Sequence, residues 1–262
     1  MMLQLTRKDR EELLFAKNLL DNPGLAAKIT NIIGSPVEDG IKKLPNNWQN
    51  KVVGFTNNSL NKTLDITLFT IKNKNRRSSE LLHKVAVGTS GAMGGAGGFV
   101  TLPIELPIST TIILRSIIDI ARCEGEDINN YDTKLACLEV FALGGKSKDD
   151  DGTESGYFAV RTLLASQVNE AVTHIASKGL SKESPILIKL ITTIAEKFGV
   201  QVSQKAMAQA IPLIGALSGA LINTIFIDHF QNMARGHFII RRLERSYSKE
   251  FIQYQYSNIL NS

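Results

Sequence analysis

Apolar residues recur at three- and four-residue spacing through most of this chain, and the elements they predict are helices. Thr6 with Asp9 forms a capping pattern that opens a helix running to Asp21, where Asn22-Pro23-Gly24 stops it. Ser35-Pro36 with Glu38 repeats the device, with proline at the first helical position. Asn47 to Lys72 reads as a longer amphipathic stretch, with Val52, Val53, Phe55, Leu60, Leu64, Leu68 and Phe69 apolar, and Lys72-Asn73-Lys74-Asn75-Arg76-Arg77 breaks it. Val160, Leu164, Val168, Ala171 and Ile175 recur at helical spacing after Tyr157, as do Leu187, Leu190, Ile194 and Phe198. No run alternates long enough for a sheet, and no internal repeat is present. The pattern predicts an all-α protein, a compact multi-helix bundle with a glycine-rich central helical segment, forming a single domain over residues 1–262.

The glycine-rich segment is Gly88-Thr89-Ser90-Gly91-Ala92-Met93-Gly94-Gly95-Ala96-Gly97-Gly98. Glycine in a helix costs about 1 kcal/mol against alanine, so a loop or a close backbone contact is implied. As a helix, Gly91 and Gly95 are four apart, as are Gly94 and Gly98, the spacing that lets two backbones approach. As a loop, Gly91, Gly94, Gly95, Gly97 and Gly98 would offer backbone N–H groups to a ligand. No Lys-Ser/Thr follows the glycines and no G-x-G-x-x-G is present, so the specific phosphate motifs fail. Gly88-Thr89-Ser90-Gly91-Ala92 misses the nucleophile elbow in its last place.

Beyond Pro107, a helix is predicted over Ile108–Arg122. At 100° per residue, Arg115, Asp119, Arg122 and Glu126 fall in a stripe about 60° wide, while Ile112, Ile113, Leu114, Ile117, Ile118, Ile120 and Ala121 demand burial nearly all round. Such a stripe is either a narrow solvent seam or a set of interior ion pairs. If it lines a cleft together with Glu105 and Asp127, paired carboxylates and arginines suit anionic-substrate binding or acid–base work.

The run Gly-Gly-Ala-Gly-Gly-Phe-Val-Thr-Leu-Pro-Ile-Glu-Leu-Pro at 94–107 is followed by Thr110-Thr111-Ile112-Ile113-Leu114-Arg115-Ser116-Ile117-Ile118-Asp119-Ile120-Ala121-Arg122 and by Glu124-Gly125-Glu126-Asp127. Leu138-Glu139-Val140-Phe141-Ala142-Leu143-Gly144-Gly145 and Ala210-Ile211-Pro212-Leu213-Ile214-Gly215-Ala216 come later in the same order. Together these motifs resemble the EcsC protein family over about residues 50–245, leaving 1–45 as an N-terminal helical extension. The resemblance implies a helical fold; it supplies no reaction, cofactor or catalytic residue.

Two stretches carry no charge, Val85–Ile104 and Ala206–Ile227. Each reaches the roughly 20 residues of a membrane span, yet a mean hydropathy of −0.02 for the chain and the modest hydropathy of both segments suit a buried hairpin equally. The C-terminal helix sets Arg241, Arg245 and Lys249 four apart, with Arg235 and Arg242 beside them and Tyr247, Tyr254 and Tyr256 following. Basic residues with interfacial aromatics suit an anionic lipid surface. A net charge of +5 also suits nucleic acid, but no nucleic-acid-binding signature accompanies it, and none is expected as a partner.

Cys123 and Cys137 lack C-x-x-C spacing and read as reduced thiols buried in helices. His83, His174, His229 and His237 are scattered with no H-E-x-x-H, and Lys146–Glu154, although acidic, lacks calcium-loop spacing; no metal and no cofactor are expected. The N-terminus meets Arg7-Lys8-Asp9-Arg10 before any apolar run, so no cleavable signal peptide is expected. The expected location is cytoplasmic or peripheral to a membrane, with room for a non-cleaved C-terminal export signal. Two functions of different class follow. One is a helical module that associates with, or partly inserts into, an anionic membrane and serves a membrane-bound partner. The other is an enzyme acting on a lipid or other anionic substrate in a cleft lined by Glu105, Arg115, Asp119 and Asp127.

Overall fold

A computed structural model of the chain describes residues 4–21, 24–34, 36–70, 98–145, 156–181, 183–211 and 217–259. Gly91, Gly94, Gly95 and Gly97, the basic break at 72–77 and the acidic loop at 146–154 lie outside the described residues. Within them the protein is all-α, with no strand. In chain order the helices are α1 (Arg7–Leu20), α2 (Leu25–Ile33), α3 (Trp48–Asp65), α4 (Leu102–Cys123), α5 (Tyr131–Glu139), α6 (Gly156–Lys178), α7 (Pro185–Ala210), α8 (Leu217–Ser246) and α9 (Lys249–Asn258).

Local chemistry sets most of the boundaries. Thr6 Oγ1 accepts from the Asp9 amide at 3.1 Å and opens α1. Asn130 and Ser248 cap α5 and α9 in the same way, accepting from Asp132 N and Phe251 N. The helix expected after Ser35-Pro36 is instead a 3₁₀ segment, Val37–Lys43. Only a few residues separate Pro36 from Pro45, and Gly40 lies against the Met207 carbonyl with no room for a side chain. In the amphipathic stretch from Asn47, α3 gives way to a π-helical turn, Ile66–Thr70, whose Leu68 carbonyl accepts from Lys134 Nζ at 3.3 Å. Pro107, expected to start a helix, lies inside α4, which begins at Leu102 with Pro103 in its first turn. The missing N–H costs α4 one internal hydrogen bond, and hydroxyls of Ser109, Thr110 and Thr111 turn back onto the Leu106 and Pro107 carbonyls there.

Packing is built around α8. Gln231 Nε2 donates to Ser116 Oγ at 2.7 Å and Arg241 Nε to Glu126 Oε1 at 2.9 Å, both pairs 115 residues apart. A constant offset means that α4 and α8 run parallel. Against α8, α7 runs antiparallel, since Phe198 meets Phe230 (centroids 5.5 Å apart) and the later Lys205 meets the earlier Phe226. Phe141, Phe198, Phe226 and Phe230 form the aromatic centre of the core, mostly in edge-to-face contact. On the α4 and α7 side, α3 and its π-helical turn present Ser59, Thr63 and Thr67, each hydroxyl bonded to the carbonyl four residues earlier at 2.7–2.8 Å. Short, self-satisfied side chains allow close approach without stranding a polar group.

The stretch Ala206–Ile227 is not one helix: α7 ends at Ala210 and α8 begins at Leu217. No helix of the described residues is long and apolar enough to cross a membrane. Of the two cysteines, Cys137 is buried and its thiol is pushed up by burial, whereas Cys123, expected in the interior, is exposed at the C-terminal end of α4.

At Gly236 α1 crosses α8, where an added Cβ would fall 2.6 Å from Leu20 Cγ and 3.1 Å from the Ala16 carbonyl. Gly199 on α7 has open space at the same position. Gly236→Val is expected to lower stability by about 2 kcal/mol through overpacking, and Gly199→Ala to raise it by up to about 1 kcal/mol through helix propensity. Urea midpoints that move in the same direction for both variants would contradict the close α1–α8 contact.

Candidate functional site

Glu105 is the only charged residue between Lys84 and Arg115, and Lys205 the only one between Lys197 and Asp228. The fold brings these two together. Glu105, in the first turn of α4, and Lys205, late in α7, are 4% and 0% exposed and pair at 2.6 Å. Gln209 Nε2, one turn on, donates to the other carboxylate oxygen at 3.1 Å. The Lys205 ammonium also sits 4.7 Å from the centre of the Phe226 ring on α8. Burial pushes the lysine below its ordinary value, and the Glu105 carboxylate opposes this through charge and hydrogen bond. One turn before Phe226 lies Asn223, fully buried, with neither Nδ2 nor Oδ1 bonded among the described residues; Gln209 Oε1 is likewise unmet.

An exposed apolar row lies beside this cluster, and the 3₁₀ segment Val37–Lys43, with exposed Glu38, Asp39, Lys42 and Lys43, packs on the Met207 turn of α7. Val100, Ile104 and Ile108 follow one another at four-residue spacing and are 82%, 73% and 45% exposed. Leu221 on α8 is exposed as well, and the 115-residue offset puts it level with Leu106. The described residues 98–104 and 217–227 of the two uncharged stretches therefore lie at one end of the bundle. Gly98 opens the 3₁₀ turn Gly98–Thr101 that leads into α4 here.

The charge stripe divides among different partners. Asp119 pairs with Arg122 at 2.7 Å, both largely buried, while Arg115 is exposed with no ion pair among the described residues. Asp127 is exposed beyond the end of α4 and accepts from Asn129. A rise of about 1.5 Å per residue separates Glu105 from Asp119 by about 21 Å along the helix. Glu105, Arg115, Asp119 and Asp127 thus share no cleft.

At the opposite end, the C-terminal arginines are held by carboxylates of the same chain. Arg241 binds Glu126 (2.9 Å) and Asp132 (2.7 Å), and Arg242 binds Glu12 and Glu124 at 2.8 Å each. Arg245 binds Glu126 and the Glu124 carbonyl, and Arg235 reaches Asn232 at 3.0 Å. Lys249 is exposed in the first turn of α9. Glu126, desolvated but bonded to Arg241, is held below the ordinary carboxylate range.

A second interior cluster lies between α5, α6 and α8. Tyr157 Oη lies 3.1 Å from His237 Nδ1, and His237 Nε2 lies 3.9 Å from Glu139 Oε2. Arg161, over the Tyr157 ring, makes a two-pronged pair with Glu244 at 2.6 and 2.9 Å. Burial raises Glu139 to about 7 and holds His237 well below its ordinary value. His229, beside Gly144 and Met233, is lowered to about 3 by burial, then by the charge of Lys28, with the Leu143 carbonyl opposing weakly. Sequence pattern alone does not mark Lys205, Asn223, Glu139, Tyr157 or Arg161 as site residues, and it offers His237 only as one of four scattered histidines. For Lys205 the signal was present, as the single charge in an uncharged stretch; the others become visible only when three helices converge. Among the described residues no group of His, Cys, Asp or Glu is placed to hold a metal ion, and an open groove by Glu170, His174 and Ile186 contains none of these side chains.

The buried titratable groups fix a pH response. His229 and His237 are depressed when folded, so the unfolded chain binds more protons below about pH 6.5 and stability falls on acidification. Glu139 is raised, so the folded chain holds its proton between about 4.5 and about 7 and the effect opposes the histidines. Two protons against one leave a net loss on the order of 1 kcal/mol per pH unit between about pH 6 and 5. Glu139→Gln should roughly double that slope in urea titrations. An unchanged slope would show that Glu139 is not protonated in the folded protein.

Comparison with curated proteins and with solved structures yields no match. The pattern of one family does match, over residues 10–243. That range takes in α1 and α2, set apart above as an extension, and agrees with their packing: α1 docks on α8 through Gly236 and through the Arg242–Glu12 pair. The chain belongs to the EcsC protein family.

Proposed function

We propose that this protein is a helical module that docks peripherally on an anionic membrane with the end of its bundle that carries the exposed apolar row of α4, where it serves a membrane-bound partner. The observation that carries this reading is the exposed row Val100, Ile104, Ile108 at the N-terminal end of α4. Immersing such a row gains roughly 1.5–3 kcal/mol per large aliphatic side chain fully buried. Arg115 stands on the same face of α4, seven residues and about 10 Å behind Ile108. An apolar face sits about 5–10 Å into the headgroup boundary, which puts that free guanidinium at the level of the phosphates. The C-terminal arginines contribute less than their sequence spacing suggests, because Glu12, Glu124, Glu126 and Asp132 already hold them. The net charge of +5 supplies long-range attraction.

Liposome flotation tests the reading. The protein should float with anionic vesicles, and part of the bound fraction should survive a high-salt wash, since apolar burial is not screened. Ile104→Glu with Ile108→Glu, both at exposed positions, should reduce binding at least about tenfold without lowering Tm. Arg115→Glu should weaken binding to anionic vesicles alone. Absence of flotation with every lipid composition would overturn the proposal, as would full binding by the double glutamate variant.

A further inference from the structure

We propose that the Glu105, Lys205, Gln209, Asn223 cluster binds the hydroxyl headgroup of an uncharged glycerolipid of the monoacyl- or diacylglycerol class, an inference that rests on the docking reading above and names the ligand of that end. Three observations carry it. The first is charge balance. Glu105 and Lys205 neutralise each other at 2.6 Å, both Glu105 oxygens are engaged, and the lysine faces the Phe226 ring. A charged headgroup finds no free countercharge there.

The second is unmet hydrogen-bonding capacity. Asn223 is fully buried, and its Nδ2 and Oδ1, with Gln209 Oε1, have no partner among the described residues. Native proteins satisfy nearly all such groups, and leaving one unmet costs stability. One amide donor and two carbonyl acceptors complement hydroxyl groups, which give a proton to Oδ1 or Oε1 and accept from Nδ2. A phosphate diester or carboxylate has no proton for those two oxygens.

The third is position. The parallel register of α4 and α8 sets Asn223 level with Ile108, and the antiparallel contact of Lys205 with Phe226 sets the Lys205–Gln209 turn opposite Asn223. Gln209 is half-buried and brings the cluster to the surface. Leu102, Leu106, Ala206, Ile222 and Phe226 are the buried apolar residues of the same turns. Unmet polar groups behind the exposed row Val100, Ile104, Ile108 suit a small uncharged head on an apolar tail.

The test uses dihexanoylglycerol below its aggregation limit, without vesicles, so that it is independent of docking. Saturating ligand should raise Tm by about 3 °C or more. Asn223→Leu should remain folded, with Tm equal to or above that of the parent, because it removes an unmet buried amide; the ligand shift should vanish. Gln209→Met gives the same reading from the rim if Asn223→Leu does not fold. An unchanged Tm with dihexanoylglycerol would overturn the proposal, leaving the amide to water alone. An equal shift with free glycerol or with dihexanoyl phosphatidate would overturn the assignment to a neutral lipid. A shift that persists in a protein that fails to float would uphold the site and remove only the docking reading.

Discussion

Moving an ammonium and a carboxylate out of water costs several kcal/mol per ion, and their attraction recovers this only with short contacts and satisfied remaining valences. The Glu105–Lys205 pair meets most of that requirement: 2.6 Å between the charges, Gln209 on the second oxygen, and the Phe226 ring against the ammonium. Because these groups come from α4, α7 and α8, the pair fixes how three helices meet. Sliding α7 by one turn, about 5.4 Å, would put uncharged residues opposite Glu105 and leave two buried ions without partners. The apolar neighbours exert no such demand, since hydrophobic contact is non-directional. Two opposite charges, each alone in a long uncharged stretch, set the register of this end.

The other end of the bundle is organised by the opposite device, an excess of charge. Glu126 receives Arg241 and Arg245 and accepts from Thr133, while Arg242 spans Glu124 and Glu12. These pairs join the end of α4 to α8 and α1. Arg241 and Glu126 are mostly buried, so their pairing is screened by salt far less than a surface bridge would be. Along the parallel α4 and α8 the ionic network thus lies at their C-terminal ends, and the exposed apolar row Val100, Ile104, Ile108 at the N-terminal end of α4.

Much of this was legible in the sequence. Periodicity locates α3, α6 and α7, and the Thr6–Asp9 cap places the start of α1 correctly. Two boundaries escaped because local rules compete there. Pro107 reads as a helix start, yet in α4 the turn before it is already helical, and the helix continues through it without the Pro107 amide bond. Pro36 reads as the start of an α-helix, but the close approach of Gly40 to Met207 confines the segment to 3₁₀ geometry. The basic helix was read from its own spacing as a free surface. Its partners, Glu12, Glu124, Glu126 and Asp132, lie more than a hundred residues away along the chain, and no local pattern reports them. The glycine-rich segment marks the family but its residues 88–97 lie outside those described.

The interior polar residues of α8 explain how one helix can organise so many neighbours. Along its length Phe226 addresses Lys205 of α7, Gln231 addresses Ser116 of α4, His237 addresses Tyr157 of α6, Arg241 addresses Asp132 of α5 and Arg242 addresses Glu12 of α1. An apolar helix buried on all sides would pack against the same set in several rotations at similar energy. Each hydrogen bond or ion pair, by contrast, loses most of its value beyond about 3.5 Å or below about 120°. The order of partners along α8 therefore excludes the rotated arrangements one by one. Within that scheme Asn223 and His229 are exceptions among the described residues, interior polar side chains with no hydrogen-bond partner on another helix, and Asn223 lies level with the exposed row of α4.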